Sequence, residues 1–284
     1  MAGEHVAVIG GGTMGAGIAH AFLLAGSPVT LVEVDQDAAA AGRARVAVSL
    51  TKAAARDKLP SGLTPEAMLA SLLTVPSLDD LPRDAALVVE AVPEDAELKR
   101  RVLRVAQEAL PDADLATNTS SLSVTDLAAA LPRPDRFCGM HFFNPVPASA
   151  LVEVVRHDGL ADDVLARALA RVERLGLTPV TVRDAPGFAS SRLGVAVGLE
   201  AIRMLEDGVA TAEDIDTAMR LGYRWPMGPL RLTDLVGLDV RLSIAEYLAE
   251  RLGPRFEPPR LLRSMVAEGK LGRKTGAGFY TWEE

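Results

Sequence analysis

Gly10, Gly12 and Gly15 stand in the pattern G-x-G-x-x-G within Gly10-Gly11-Gly12-Thr13-Met14-Gly15, directly after the apolar run Val6 to Ile9 and before a stretch of helical periodicity. At a strand-to-helix turn the first glycine permits the tight bend, the second lets the backbone approach a pyrophosphate, and the third lets the helix pack on the strand. The helix N-terminus adds unpaired N–H groups and the positive end of a dipole. A glycine-rich turn with no ligand is the alternative, and an acid ending the next strand, about 20 residues on, argues against it. Glu33, after Val29-Thr30-Leu31-Val32, is that acid; Asp35 takes its place if the strand runs two residues further. A carboxylate there accepts from ribose hydroxyls and repels a 2′-phosphate, so the expected cofactor is NAD rather than NADP. Gly10, Gly12, Thr13, Met14, Gly15 and Glu33 are its expected contacts.

Of the four histidines, His5 precedes the first strand, His20 lies on the glycine-led helix and His157 starts a turn. Packing or surface roles suit these three. His141 differs because Arg136 to Phe142 reads as a late strand that delivers it to the carboxyl edge of a parallel sheet, where open α/β folds bind ligands. It is a candidate catalytic histidine, with a buried core histidine as the alternative.

These residues need a scaffold, and the first half of the chain supplies its rhythm. Short β-branched runs alternate with helical stretches: Val29 to Val34, 37–58, Leu87 to Val92, 95–110, Asp114 to Thr117, 123–131, Leu151 to Val155, 162–175 and 179–182. Such alternation predicts a mostly parallel, Rossmann-type sheet covered by helices. After Asp184-Ala185-Pro186-Gly187 the strand-like runs nearly vanish and apolar residues recur at helical spacing. The expected fold class is therefore α/β, with a dinucleotide-binding domain over 1–184 and an all-helical domain over 185–284 that closes a cleft or builds a dimer interface.

Composition narrows the function classes. With 284 residues, 30 basic against 38 acidic side chains give a formal charge of -8, which leaves no net positive field for nucleic acid. No apolar stretch reaches the roughly 20 residues that span a bilayer, and Val6 to Ile9 is too short for a signal peptide. The single cysteine, Cys138, makes neither a disulfide nor a thiolate cluster, so no oxidising compartment is needed and no metal is expected. A cytoplasmic enzyme is the expectation.

Several longer runs carry a resemblance. Val8 to Ala19 around the glycines, Val88-Val89-Glu90-Ala91-Val92-Pro93-Glu94, Asn118-Thr119-Ser120-Ser121-Leu122 and His141-Phe142-Phe143-Asn144-Pro145-Val146-Pro147 resemble the 3-hydroxyacyl-CoA dehydrogenase family. So do Asp184-Ala185-Pro186-Gly187-Phe188, Met227-Gly228-Pro229 and the closing Gly272-Arg273-Lys274-Thr275-Gly276-Ala277-Gly278-Phe279-Tyr280. The resemblance spans nearly the whole chain and implies an enzyme that oxidises the 3-hydroxyl of a (3S)-3-hydroxyacyl-CoA with NAD.

Position by position, it implies that His141 is the general base and that Glu153 is its carboxylate partner, holding one tautomer and stabilising the imidazolium. It places Ser120 at the substrate oxygen beside the nicotinamide and Asn144 near the histidine and cofactor. Ala91, Glu94, Lys99 and Lys274 fall at further cofactor contacts, with solvated surface charge the alternative for Glu94, Lys99 and Lys274. Ser49 and Arg56 fall where the family sets a serine and a lysine against CoA. Ser191 is a departure: the family usually carries asparagine there against the substrate carbonyl, and serine offers one hydroxyl donor in place of an NH₂ group.

The resemblance also implies a homodimer. Two other readings remain: a dehydrogenase of a free hydroxy acid or sugar acid, similar to gulonate dehydrogenase and lens crystallin, and a non-catalytic NAD-binding structural protein. Dependence of turnover on CoA separates the first of these from the acyl-CoA reading. The related β-hydroxyacid dehydrogenases use a lysine near the hydroxyl, and residues 100–269 contain no lysine.

Overall fold

A computed structural model describes residues 3–283, and the chain divides between Asp184 and Ala185 into two compact units. The first unit is built on one eight-stranded sheet. Its strands are β1 (Val6–Ile9), β2 (Val29–Val32), β3 (Leu72–Val75), β4 (Leu87–Glu90), β5 (Asp114–Thr117), β6 (Phe137–Phe142), β7 (Leu151–Arg156) and β8 (Thr178–Arg183), in the order β3-β2-β1-β4-β5-β6-β7-β8. β1 to β6 run parallel, β7 turns antiparallel to β6, and β8 runs parallel to β7. The chain leaves β1 to one side for β2 and β3 and to the other for β4 onward, and that reversal opens a crevice at the carboxyl ends of β1 and β4.

Residues in β1, β2, β4, β5 and β6 are buried throughout, as strands covered on both faces must be. α1 (Thr13–Leu24) follows β1, α2 (Gln36–Ala54) follows β2, α3 (Pro65–Leu69) precedes β3, α4 (Ala96–Ala109) follows β4, α5 (Val124–Ala128) follows β5 and α6 (Asp162–Arg174) follows β7. Their starts are set by side-chain caps: Asp35 accepts from Ala38 N, Asp95 from Leu98 N and Ser123 from Asp126 N, each supplying an acceptor that the first helical turn lacks. Val6, Val8, Ile18, Phe22, Leu31, Val89, Met140 and Val154 form the core. Burial pushes the Cys138 thiol up to about 12, which removes it as a nucleophile.

The reading from sequence passes over β3, because Leu72-Leu73-Thr74-Val75 is only four residues long and leaves Leu73 57% exposed. Asp114, at the start of β5, ties the amino edge of the sheet together. It accepts from Arg136 Nη2 at 2.9 Å, Arg167 Nε at 2.7 Å and Arg171 Nη1 at 2.7 Å, and Arg171 continues to Glu4 at 2.9 Å.

The second unit is helical: α7 (Ser190–Glu206), α8 (Ala212–Gly222), α9 (Pro229–Val236), α10 (Leu238–Leu252) and α11 (Arg260–Ala267). Val195, Leu199, Ile202, Leu230, Leu238, Leu248 and Leu262 make its core. Buried Asp234 accepts from Phe279 N, Tyr280 N and Trp282 Nε1, each at 2.9 Å. A Cβ on Gly278 would lie 2.2 Å from the same carboxylate, so the closing glycine-rich run is a clasp around one buried acid. Among the described residues, no helix is long and apolar enough to cross a membrane.

Candidate active site

The glycine turn follows β1 with a division of labour that only glycines permit. Gly10 has φ of +98°, and a Cβ there would sit 2.7 Å from the Ala91 carbonyl oxygen after β4. A Cβ on Gly15 would lie 1.7 Å from the Gly10 carbonyl oxygen, whereas one on Gly12 would meet nothing within 4 Å. Gly12 caps α1 without any side-chain hydrogen bond, so the first N–H groups of α1 face an open side. Glu33, just beyond β2, accepts from Gly11 N at 2.5 Å and Val34 N at 3.2 Å, which uses part of its acceptor capacity and leaves the rest for a diol. Arg45 on α2 donates to the Gly11 carbonyl at 3.0 Å; the sequence reading gave this residue no role. An uncapped helix start, an open glycine and a nearby carboxylate fit a dinucleotide. Replacing Glu33 by Gln is expected to raise the NADP-to-NAD ratio of kcat/KM by about tenfold, since one charge and one acceptor are lost. An unchanged ratio in steady-state kinetics would remove Glu33 from the ribose.

His141 and Glu153 face each other across β6 and β7, whose antiparallel register pairs them directly. His141 Nδ1 lies 2.8 Å from Glu153 Oε2. The two side chains are 8% and 1% exposed. With Nδ1 protonated and donating to the carboxylate, the tautomer leaves its lone pair on Nε2. Phe143 packs against the imidazole with ring centroids 4.6 Å apart, and Asn118 Oδ1 accepts from Phe142 N at 2.9 Å, so the end of β6 is held from both sides.

A second polar cluster lies at the ends of β4 and β5. Lys99 is 1% exposed and its Nζ contacts Glu90 Oε1 at 2.6 Å, the Val92 carbonyl at 3.2 Å and Glu94 Oε2 at 3.4 Å. The solvated-surface alternative for Lys99 is excluded, because this ammonium is committed beneath the 91–94 turn. Glu90 also accepts from Thr117 Oγ1 at 2.6 Å and Val92 N at 2.7 Å. Glu94 in turn accepts from Thr119 Oγ1 at 2.5 Å and from Ser120 N at 3.0 Å. Burial alone would push the Glu94 carboxyl up; the Lys99 charge and the bonds from Thr119, Ser120 and Ser121 outweigh it and hold the carboxyl below its usual range. Glu94 thus fixes the turn that carries Ser120. Sequence alone does not single out Glu90, because one acid in an apolar run gives no sign of its partners.

Ser49, Arg56 and Asn144 line one cavity of about 570 Å³ between α1, α2 and the loop after β6, a size suited to a small ligand. His20 also borders it, with both ring nitrogens unpaired; burial pulls its pKa down to about 4, so the ring is neutral. Lys52 and Lys58 add positive charge to the rim. Ser191 and Lys274 belong to the helical unit. Ser191 sits in the first turn of α7, and Lys274 Nζ is held by both oxygens of Asp239 at 2.6 Å.

Residues 5–185 match the NAD binding domain of 3-hydroxyacyl-CoA dehydrogenase and residues 187–282 its C-terminal domain. The chain is 43% identical to the 3-hydroxybutyryl-CoA dehydrogenase of Mycobacterium tuberculosis, over 98% of each chain. It is 40% identical to the mitochondrial hydroxyacyl-coenzyme A dehydrogenase of Sus scrofa, over 99% of this chain and 91% of that one. Among solved structures, the (S)-3-hydroxybutyryl-CoA dehydrogenase of Ralstonia eutropha superposes with a TM-score of 0.93 at 40% identity, over 99% of both. The expected cytoplasmic location is overturned by the mitochondrial relative. A chain with one buried thiol needs only a reducing compartment, and its composition distinguishes no two of these.

Proposed function

This chain belongs to the 3-hydroxyacyl-CoA dehydrogenase family, and from that premise we propose how its residues share the work. The activity is the NAD-dependent oxidation of a 3-hydroxyacyl-CoA to the 3-oxoacyl-CoA. The observation that carries the division of roles is the buried His141–Glu153 pair at 2.8 Å. Bound NAD supplies the hydride acceptor. His141 takes the 3-hydroxyl proton on Nε2, and Glu153 acts as a positioning residue that holds Nδ1–H and offsets the charge the ring acquires. A carboxylate with almost no solvent contact does this better than an exposed one, since less screening separates it from the imidazolium.

Ser120, on the turn fixed by Glu94, orients the substrate oxygen, and Asn144 contacts the cofactor near the histidine. Gly12, Thr13, Met14 and Gly15 receive the pyrophosphate, with Ala91 and Glu94 lining the crevice and Lys99 acting through Glu94. Ser49 and Arg56 take the CoA moiety, Arg56 by bidentate contact with phosphate. Ser191 is assigned the thioester carbonyl, and Lys274 a further cofactor contact. The substrate has the (3S) configuration and a short or medium acyl chain. The protein is a homodimer through its helical unit, a reading that the mass of the species in solution tests.

The deciding experiment is a panel of 3-hydroxyacyl-CoA substrates with NAD beside one free 3-hydroxy acid, with the same sample weighed by light scattering. Turnover confined to the thioesters, by a species of two chains, is the expected outcome. Turnover of the free acid alone would replace the acyl-CoA reading, and a single-chain mass would remove the dimer.

A further inference from the structure

Gly11 and Gly12 share a peptide bond at the centre of the dinucleotide turn, and both polar backbone groups of Gly11 are tied down. Its N–H donates to Glu33 Oε1 at 2.5 Å, and its carbonyl accepts from Arg45 Nη1 at 3.0 Å. Helix α2 comes this close because Gly42 lies one turn before Arg45 on the same face. A Cβ on Gly42 would sit 2.8 Å from Leu31 Cδ2 and 3.3 Å from Gly11 Cα. Arg45 is otherwise exposed, and the bond to Gly11 is its only one among the described residues. A cation reserved for one backbone carbonyl needs a reason.

The peptide plane supplies it. The Gly11–Gly12 bond is trans, so its C=O and N–H point in opposite directions. With the carbonyl held toward α2, the Gly12 N–H points away from α2. It has no hydrogen-bond partner among the described residues, and a Cβ on Gly12 would meet nothing within 4 Å. A peptide between two glycines turns over with little steric resistance, since neither residue has a Cβ to oppose it. Turned over, it would present a carbonyl oxygen to the pyrophosphate in place of a donor. A charged donor on the carbonyl opposes that rotation, and it polarises the peptide so that the N–H becomes a stronger donor. We propose that Arg45 is a positioning residue for NAD, holding the Gly11–Gly12 peptide with its N–H toward the pyrophosphate. The proposal rests on the reading above that Gly12 receives the pyrophosphate.

The test is calorimetric titration of the intact protein, without substrate, by NAD and by adenosine, which lacks the diphosphate. Arg45→Met is expected to raise the Kd for NAD about tenfold, the worth of one charge-assisted hydrogen bond, and to leave that for adenosine unchanged. Arg45→Lys keeps an ammonium donor for the same carbonyl and should recover most of the affinity. The difference should persist at about 1 M salt, where the Debye length is about 3 Å, because the bond acts through a peptide and not through the field of an exposed charge. The fitted stoichiometry absorbs any misfolded fraction, so each Kd reports folded protein. A Kd for NAD within about twofold of wild type in Arg45→Met overturns the proposal. Equal weakening of adenosine also overturns it, since that marks a turn that has merely lost its structure. So does a difference that vanishes with salt, which marks direct attraction of the pyrophosphate by the guanidinium. Gly12→Ala separates premise from proposal: Gly12 has φ of −63°, which alanine adopts without strain, and the methyl would obstruct a diphosphate seated there. Unchanged NAD affinity in that variant fails the pyrophosphate reading and takes this one with it. Weaker NAD in Gly12→Ala beside wild-type affinity in Arg45→Met removes Arg45 alone.

Discussion

Replacing His141 by Gln is expected to lower kcat by about a thousandfold, within the range that a positioned general base contributes. The amide is close to the imidazole in size and can still meet Glu153, so β6 and β7 keep their register, but it has no lone pair basic enough to accept the hydroxyl proton. KM should change little, because the lost interaction is made only as the proton moves. Glu153→Gln should cost about a hundredfold or less, since the base survives while its tautomer and its imidazolium lose their support. Turnover of His141→Gln within about threefold of wild type would remove the proposed base.

The largest effect on stability is expected from Asp114→Ala, far from the chemistry. Asp114 is 2% exposed and Arg171 3%, and removing the carboxylate leaves a buried guanidinium whose remaining carboxylate contacts go to Glu4. Breaking one side of a buried ion pair costs about 3–5 kcal/mol, which urea unfolding followed by circular dichroism would register as a lower midpoint. A loss under about 1 kcal/mol would mean that the cluster contributes no more than surface ion pairs do. Burial alone would push the Asp114 carboxyl up, but the hydrogen bonds and charges of Arg167 and Arg171 outweigh it and hold it below its usual value. A carboxyl depressed in the folded state contributes in full above the unfolded value of about 3.9 and loses that contribution as pH falls through the folded value. The gap between wild type and variant should therefore be constant near neutrality and narrow only below about pH 4.

The cofactor half of the candidate site is legible in the chain because it is local. The strand Val6–Ile9, the glycines and Glu33 are each specified by residue type within a short span, and the turn geometry that demands glycine at positions 10 and 15 needs only neighbours already close in sequence or in β4. His141 was legible for a similar reason, since it ends a strand and strand ends face the crevice. Lys99 shows the opposite case. From sequence it is either a cofactor contact or a solvated charge, and only the packing of α4 under the 91–94 turn turns it into a buried partner of Glu90.

By itself, then, the order of residues determined a Rossmann-type domain with a helical region after it, a dinucleotide turn and a histidine at the sheet's edge, because periodicity, turn chemistry and capping act over a few residues. The loop between β6 and β7 is too short for a parallel crossover, so even the reversal of direction was implicit. Tertiary structure decided the register that sets Glu153 opposite His141, the burial that makes Lys99 and Arg171 internal charges, and the close approach at Gly42 that lets Arg45 reach Gly11. Each of these depends on which distant segments share a face and exclude water, and a one-residue slip of β7 would have turned Glu153 to the opposite side of the sheet.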